Sequence, residues 1–365
     1  MDRRGASLVE RADGPRRTLA TAALAGLGAA ARQIHLPALS AAGLRVVGGC
    51  DPAVRDGEVP FPTFDSAERM LGETRPDLLV VATPPASHHA LTRLGLLAGA
   101  HVLCEKPFMP TLAEADDVCA LSRQAGRWVA VNNQYRFMDI HRAAQARIGA
   151  PDFGDLLFVS AEQTFFVTPE TEAGWRGQER ERTCREFGTH VLDLCRFFFG
   201  EDPQAVTARM PRGKQADGPD HLDLIQLEFS GDRAAQITLD RLSRGRHRYL
   251  EIRLDGTVGC IETRLGGGIE LAAGIRGGTR RPFVHFDAAL GGRARLYHGE
   301  KFRRIASEPL APFATATARL LTAFRAAVEA GTPPPCHAED NRRTLALMLA
   351  AYESHRRRAT VPMER

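Results

Sequence analysis

Between Asp77 and Thr83 the chain reads Leu-Leu-Val-Val-Ala, apolar at every position. A strand with no solvent face belongs inside a parallel sheet covered by helices on both sides. The flanking segments agree. Residues 18–25, 44–50, 76–83, 101–104 and 128–132 read as short strands. Helical patterns over 66–72, 87–99 and 111–125 fall between them, with Ser87 a candidate helix cap. Alternation of this kind predicts a doubly wound α/β sheet, in which ligands bind at the carboxyl ends of the strands.

The first strand runs into Gly26-Leu-Gly28-Ala-Ala-Ala31, a GxGxxA pattern. The first glycine permits a tight turn, the second lets the backbone approach a pyrophosphate, and Ala31 is small enough for helix–strand packing. The helix start behind it offers free N–H groups to phosphate. The second strand ends at Asp51, 23 residues past Gly28, close to the place of an acid that bonds a ribose 2′-hydroxyl. A carboxylate there favours NAD over NADP, while nearby Arg55 keeps NADP as the alternative. His35 reads as a half-buried helix residue rather than a ligand.

The next strand leads into Cys104-Glu105-Lys106-Pro107-Phe108, which places an ammonium at the mouth of the sheet. After residue 138 the composition changes. A long strand is expected over 154–166, then a charged run and Glu186-Phe-Gly-Thr-His190-Val-Leu-Asp193, whose acids and histidine share one face if helical. Strands at 222–229, 233–242, 249–254 and 259–263 imply a largely antiparallel sheet. Gly266-Gly267-Gly268 and Gly277-Gly278 read as loops, and 315–330 and 340–355 as closing helices. The expected organisation is a disordered tail (1–17), a dinucleotide-binding domain (18–137) and an α+β domain for substrate and oligomerisation (138–365).

The bulk properties narrow the function. The 365 residues carry 48 Lys+Arg against 44 Asp+Glu, a net charge of +4 too slight and scattered to suggest a nucleic-acid partner. Seven cysteines without a CxxC pair fit reduced thiols in a cytoplasmic protein, with neither a disulfide frame nor a metal site. Arg16-Arg17 before an alanine-rich run imitates an export signal, but cleavage there would remove the glycine motif, so a strand is the preferred reading. No apolar run of membrane-spanning length occurs elsewhere, and no membrane partner is expected.

Together these markers resemble the Gfo/Idh/MocA oxidoreductases, relatives of glucose–fructose oxidoreductase and inositol dehydrogenase. The resemblance rests on the glycine loop with His35-Leu-Pro-Ala-Leu39, Cys50-Asp51-Pro52, Thr83-Pro84 with His88, the block ending in Glu105-Lys106-Pro107, Gly188-x-His190-x-x-Asp193 and the last helix. It covers nearly all of 18–362. It implies that Gly26, Gly28, Ala31, Asp51, Thr83, Pro84, His88, Glu105, Lys106, Pro107, Trp175 and Arg176 line the cofactor. It also implies that Lys106 and His190 handle the proton at the reacting oxygen, with Glu186 where the family has an aspartate. Lys106, Arg136, Glu186 and His190 are the expected substrate contacts, and Asp193 an anchor for its helix. Two departures fall at the substrate helix: the glycine triplet before the acid is replaced by Glu181-Arg-Thr-Cys-Arg, and the segment from Trp175 is about three residues short. The activity implied is NAD(P)-dependent oxidation or reduction of a sugar-like substrate by a homo-oligomer, dimer or tetramer. The same fold also admits an NAD-dependent glycoside-cleaving enzyme or a non-catalytic dinucleotide-bound regulator.

Overall fold

The computed structural model describes residues 18–54, 57–168, 179–212, 218–245, 248–275, 282–299 and 301–363. The expected tail, Arg55, Trp175, Arg176 and Gly277-Gly278 lie outside these residues. Six parallel strands form the first sheet: β1 (Thr21–Ala25), β2 (Arg45–Cys50), β3 (Thr63–Phe64), β4 (Leu78–Val81), β5 (His101–Cys104) and β6 (Val129–Val131). Their order, β3-β2-β1-β4-β5-β6, is that of a doubly wound sheet whose direction of growth reverses at β1. The alanine-rich stretch after Arg17 is therefore a strand. It has weak β propensity, but it is central and buried, so packing decides.

Strand alternation splits the core. Ala22 and Leu24 point to one face with Leu78 and Val80; Ala23 and Ala25 point to the other with Leu79 and Val81. A π-turn at Ala31–His35 passes into α1 (Leu36–Ala41), followed by α2 (Ala67–Thr74), α3 (His88–Leu97) and α4 (Leu112–Ala125). Two helix starts are built as their sequences suggest. Ser66 accepts from the Arg69 N–H, and Thr111 and Glu114 form a reciprocal capping box. Ser87 does not cap α3; its hydroxyl turns back to Thr83 Oγ1 (2.7 Å) and the Pro84 carbonyl (2.9 Å).

After α5 (Asp139–Gln145) the second sheet begins with β7 (Leu156–Thr164), and α6 (Thr189–Phe199) packs beside it. It continues with β8 (Ala205–Arg209), β9 (Leu222–Phe229), β10 (Arg233–Asp240), β11 (Arg248–Gly256) and β12 (Cys260–Leu265). A two-stranded ribbon, β13 (Gly268–Ile275) and β14 (Pro282–Ala289), precedes β15 (Gly292–His298), β16 (Lys301–Glu308) and, at the end of the chain, β17 (Val361–Pro362). The nine-stranded order is β16-β15-β12-β11-β7-β10-β9-β8-β17, antiparallel except for β7 against β10. Gly268 opens the ribbon rather than lying in a loop.

The last helices do not stay with this sheet. Within α7 (Pro312–Ala330), Leu320, Leu321 and Phe324 bury themselves with Leu24, Leu39 and Leu78 of the first sheet's layer. The chain then bridges Ala130 to His337, and α8 (Ala338–Arg357) touches α4 and β6 on one side and α6 and β8 on the other. No described helix is long and apolar enough to cross a membrane. All seven cysteines are free, and five of them are buried.

Candidate active site

The glycine turn follows directly from the sheet. Gly26 has φ +91°, and a Cβ there would stand 2.6 Å from the Ala82 carbonyl oxygen at the end of β4. Gly28, by contrast, has no atom within 4 Å of a Cβ position, so the backbone beside the helix start is open to a ligand. Asp51, at the end of β2, accepts from the Leu27 N–H (2.7 Å) and the Ala53 N–H (2.8 Å), fixing its carboxylate against the turn. Ala31 is fully buried, as helix–strand packing requires. A forbidden Cβ at the first glycine, open space at the second and an acid at the neighbouring strand end fit a dinucleotide.

Beyond β5, Glu105 is nearly buried. Its Oε1 meets His35 Nε2 (2.8 Å) and Asn132 Nδ2 (2.8 Å), and its Oε2 accepts from the Lys106 N–H (3.1 Å). Burial alone would raise this carboxyl, but the hydrogen bond and charge of His35, then Lys106 and Asn132, outweigh it and lower its pKa to about 2. His35 is thus wholly buried and anchors the acid behind the lysine. The Lys106–Pro107 peptide is cis. His88 is also fully buried, and its ring nitrogens face the carbonyls of Pro107 (3.0 Å) and Thr83 (3.0 Å). It therefore ties two strand-end loops together.

Lys106 reaches across to the second domain. Its Nζ donates to the Glu186 carbonyl (2.7 Å) and lies 5.9 Å over the Phe187 ring. Residues Cys184–Gly188 form a π-turn before α6, so Glu186 and His190 do not follow the regular helical stagger. The Glu186 carboxylate accepts from Arg182 Nε (3.2 Å) and Arg241 Nη2 (3.3 Å). His190 stacks flat on Tyr135, with ring centroids 4.1 Å apart at 4°, and Tyr135 shares a hydroxyl contact with Tyr249 (3.3 Å). The Nδ1 of His190 is buried without a partner, so Glu186 does not orient it through that atom. Burial, and after it the Lys106 charge, hold His190 well below the usual histidine value, and its ring is neutral at pH 7.

Arg136 is held by two carboxylates. Its guanidinium grips Asp193 through two 2.6 Å bonds and Asp340 through one of 2.9 Å. Arg196 joins the same cluster through Asp340 (2.8 Å) and Thr344 (2.7 Å). Arg136 thus braces the two domains, because four titratable groups from distant segments can be buried only as a paired set. Asp193 is the anchor its position suggested. The site also gains residues that no local pattern announces. Tyr249 comes from the second sheet, Arg241 from just past β10 and Asn132 from the end of β6, and only the folded topology brings them to Tyr135, Glu186 and Glu105.

Residues 20–133 match the family model Oxidoreductase family, NAD-binding Rossmann fold, and residues 141–262 match the GFO/IDH/MocA C-terminal domain. Among similar characterised proteins are D-apiose dehydrogenase of Paraburkholderia graminis, 26% identical over 82% of this chain and 76% of its own length. Another is 1,5-anhydro-D-fructose reductase of Ensifer adhaerens, 25% identical over 79% and 80%. The fold also matches the crystal structure of an oxidoreductase from Agrobacterium radiobacter in complex with NAD+, L-tartaric acid and magnesium, with TM-score 0.76, 19% identity, and 94% and 98% of the two chains covered.

Proposed function

This chain belongs to the Gfo/Idh/MocA oxidoreductase family, with an NAD-binding Rossmann domain, and on that premise we propose that it moves a hydride between nicotinamide and a carbinol or carbonyl carbon of a sugar-like, polyhydroxylated substrate. The dehydrogenase and reductase named above act on sugars, which is the source of the substrate class. The observation that carries the reading is the meeting of Lys106 with the turn that leads into α6 and His190: an ammonium bonded to the Glu186 carbonyl, and one turn on a neutral imidazole stacked on Tyr135.

Bound nicotinamide dinucleotide supplies the two-electron acceptor or donor. Gly26, Gly28 and Asp51 would hold the dinucleotide, with Ala31 packing the helix behind them and Thr83, Pro84, Glu105 and Pro107 shaping the strand-end wall. Lys106 donates a hydrogen bond to the substrate oxygen. In the oxidising direction His190 takes the hydroxyl proton as the carbon loses its hydride; in reduction the imidazolium returns that proton to the forming hydroxyl. Tyr135, stacked on the imidazole, fixes the ring plane, and Glu105 fixes the backbone from which Lys106 extends.

Replacing Lys106→Ala should lower kcat by about 10²–10³-fold, the usual cost of removing one hydrogen-bond donor to the reacting oxygen. NAD should still bind, because the glycine turn is untouched. Turnover is read at the nicotinamide absorbance over a panel of sugars, and nucleotide retention by releasing and identifying what co-purifies. Full turnover by the variant would reject the assignment of Lys106. Failure of the wild type to bind NAD or NADP would reject the whole reading.

A further inference from the structure

The ribbon of β13 and β14 carries an apolar face that none of the described residues covers. In its register Leu271 stands opposite Phe286 and Ile269 opposite Ala288. Side chains alternate across a strand, so these four share one face. Leu290 follows at the exit of the ribbon. Ile269 is 77% exposed, Leu271 71%, Phe286 65% and Leu290 67%. Ala288 is exposed among them.

The opposite face is fixed to the body of the domain. Glu270, between Ile269 and Leu271, points the other way, and its Oε2 accepts from Arg295 Nη2 (3.2 Å) and from Arg293 Nη2, both on β15. Arg304 Nη2 on β16 donates to the Ala288 carbonyl (2.8 Å). Between ribbon and sheet lies a charged cavity of about 360 Å³, lined by Glu251, Glu262, Arg264, Glu270, Arg293 and Arg295 among others. The ion pairs thus hold the apolar face outward, away from a surface too polar to receive it. A lone two-stranded ribbon is marginal in water until its face is packed against something, and an exposed apolar patch of this kind marks an interaction site.

We propose that this face is where two copies of the chain meet, ribbon against ribbon about a two-fold axis. A two-fold contact uses the same patch on both subunits, so Ile269, Leu271, Phe286 and Leu290 of one copy bury those of the other. The area agrees with this. At about 100 Å² for each large side chain, the four supply about 400 Å² of apolar surface per copy. Interfaces are about 60% apolar, so the whole contact comes to roughly 1,300 Å², within the range of stable specific interfaces. Charge argues against a membrane as the occupant. Segments 269–271 and 286–290 contain Glu270 and Asp287 and no Lys or Arg, whereas a face that lies on lipid is rimmed with basic residues. The contact uses none of the residues placed around Lys106 and His190, so it is tested by mass rather than by turnover.

The full chain, 39.8 kDa as a monomer, is followed by sedimentation velocity over a concentration series reaching about 100 μM. The wild type should self-associate. Leu271→Glu and Phe286→Glu should each weaken the association at least about 30-fold, the scale of an interface hot spot. If the wild type is a tetramer, both variants should fall to dimers. Leu97→Glu, at an exposed leucine on α3, should leave the mass unchanged. Circular dichroism and NAD retention check that the variants fold. If neither glutamate variant folds, Ala288→Cys decides: mild oxidation should give a covalent dimer that the wild type does not form, and a product that stays monomeric overturns the proposal. A wild type that is monomeric throughout, or an unchanged mass in both glutamate variants, overturns it as well. Because the 276–281 connection carries three arginines, co-sedimentation with vesicles of anionic and neutral lipid is run alongside. Vesicle binding that the glutamate variants lose while their mass stays that of the wild type gives the face to a membrane and overturns the dimer.

Discussion

At the scale of the residue, the site works by contrast between two groups that share one environment. Burial keeps Glu105 out of water, but its partners hold it ionised; burial keeps His190 out of water, and the nearby ammonium holds it neutral. A base is useful only while unprotonated, so oxidation should be lost as pH falls through the His190 pKa. Because that value lies well below the usual histidine value of about 6.5, the acid limb of kcat/KM for oxidation should lie below it too, and His190→Asn should abolish the limb along with most of the rate. A wild-type limb centred at or above 6.5 would count against His190 as the base. How much of this was legible varied with the reach of each contact. Lys106 stood out in the sequence because strand, acid, lysine and proline are contiguous. Arg136 and His88, a cation and an imidazole at strand ends, look like ligand contacts in the sequence. The partners the fold gives them, Asp340 across 204 positions for Arg136 and the Pro107 carbonyl for His88, are set only by tertiary packing.

At the scale of the element, strands and cofactor turn were readable because they are local. His101–Cys104 and Leu222–Phe229 follow the sequence pattern to the residue, and the glycine loop falls where β1 ends. The irregular turn at Cys184–Gly188 was not readable, because its bulge is imposed by packing: a Cβ on Gly188 would stand 2.8 Å from Cys184 Sγ and 3.0 Å from Leu239 Cδ1. The β13–β14 ribbon was lost among glycines that look like loop residues. Gly26 is where element geometry makes its firmest demand. Gly26→Ala combines φ +91° with a backbone clash at Ala82, so it should cost on the order of 1–3 kcal/mol and reduce NAD affinity, as the loop retreats from β4. Denaturant melts and a nucleotide titration check both, and an unchanged affinity would show that the turn does not hold the dinucleotide.

At the scale of the whole molecule, buried histidines set the acid limit of stability. Burial lowers His101 and His141 to about 4, lowers His88, and holds His190 well below the usual histidine value. All four have folded values depressed below about 6.5, so from there down toward 4 the unfolded chain binds protons that the native chain refuses. Stability should then fall with acidification, by up to about 1.4 kcal/mol per pH unit for each titrating histidine. Asp223 and Glu308, whose values burial raises, act in the opposite sense but are fewer. Denaturant midpoints at pH 7.5, 6 and 5 should decline in that order; a flat series would contradict the accounting. The return of α7 to the first sheet has its own consequence, which concerns how the protein is made. The nucleotide-binding half leaves the ribosome first, but one face of its sheet is sealed by Leu320, Leu321 and Phe324. At about 5–20 residues per second those side chains emerge roughly 10–40 seconds after β6. Through that interval α1 alone covers this apolar face of the nascent half, and its natural guardian is a chaperone rather than the rest of its own chain.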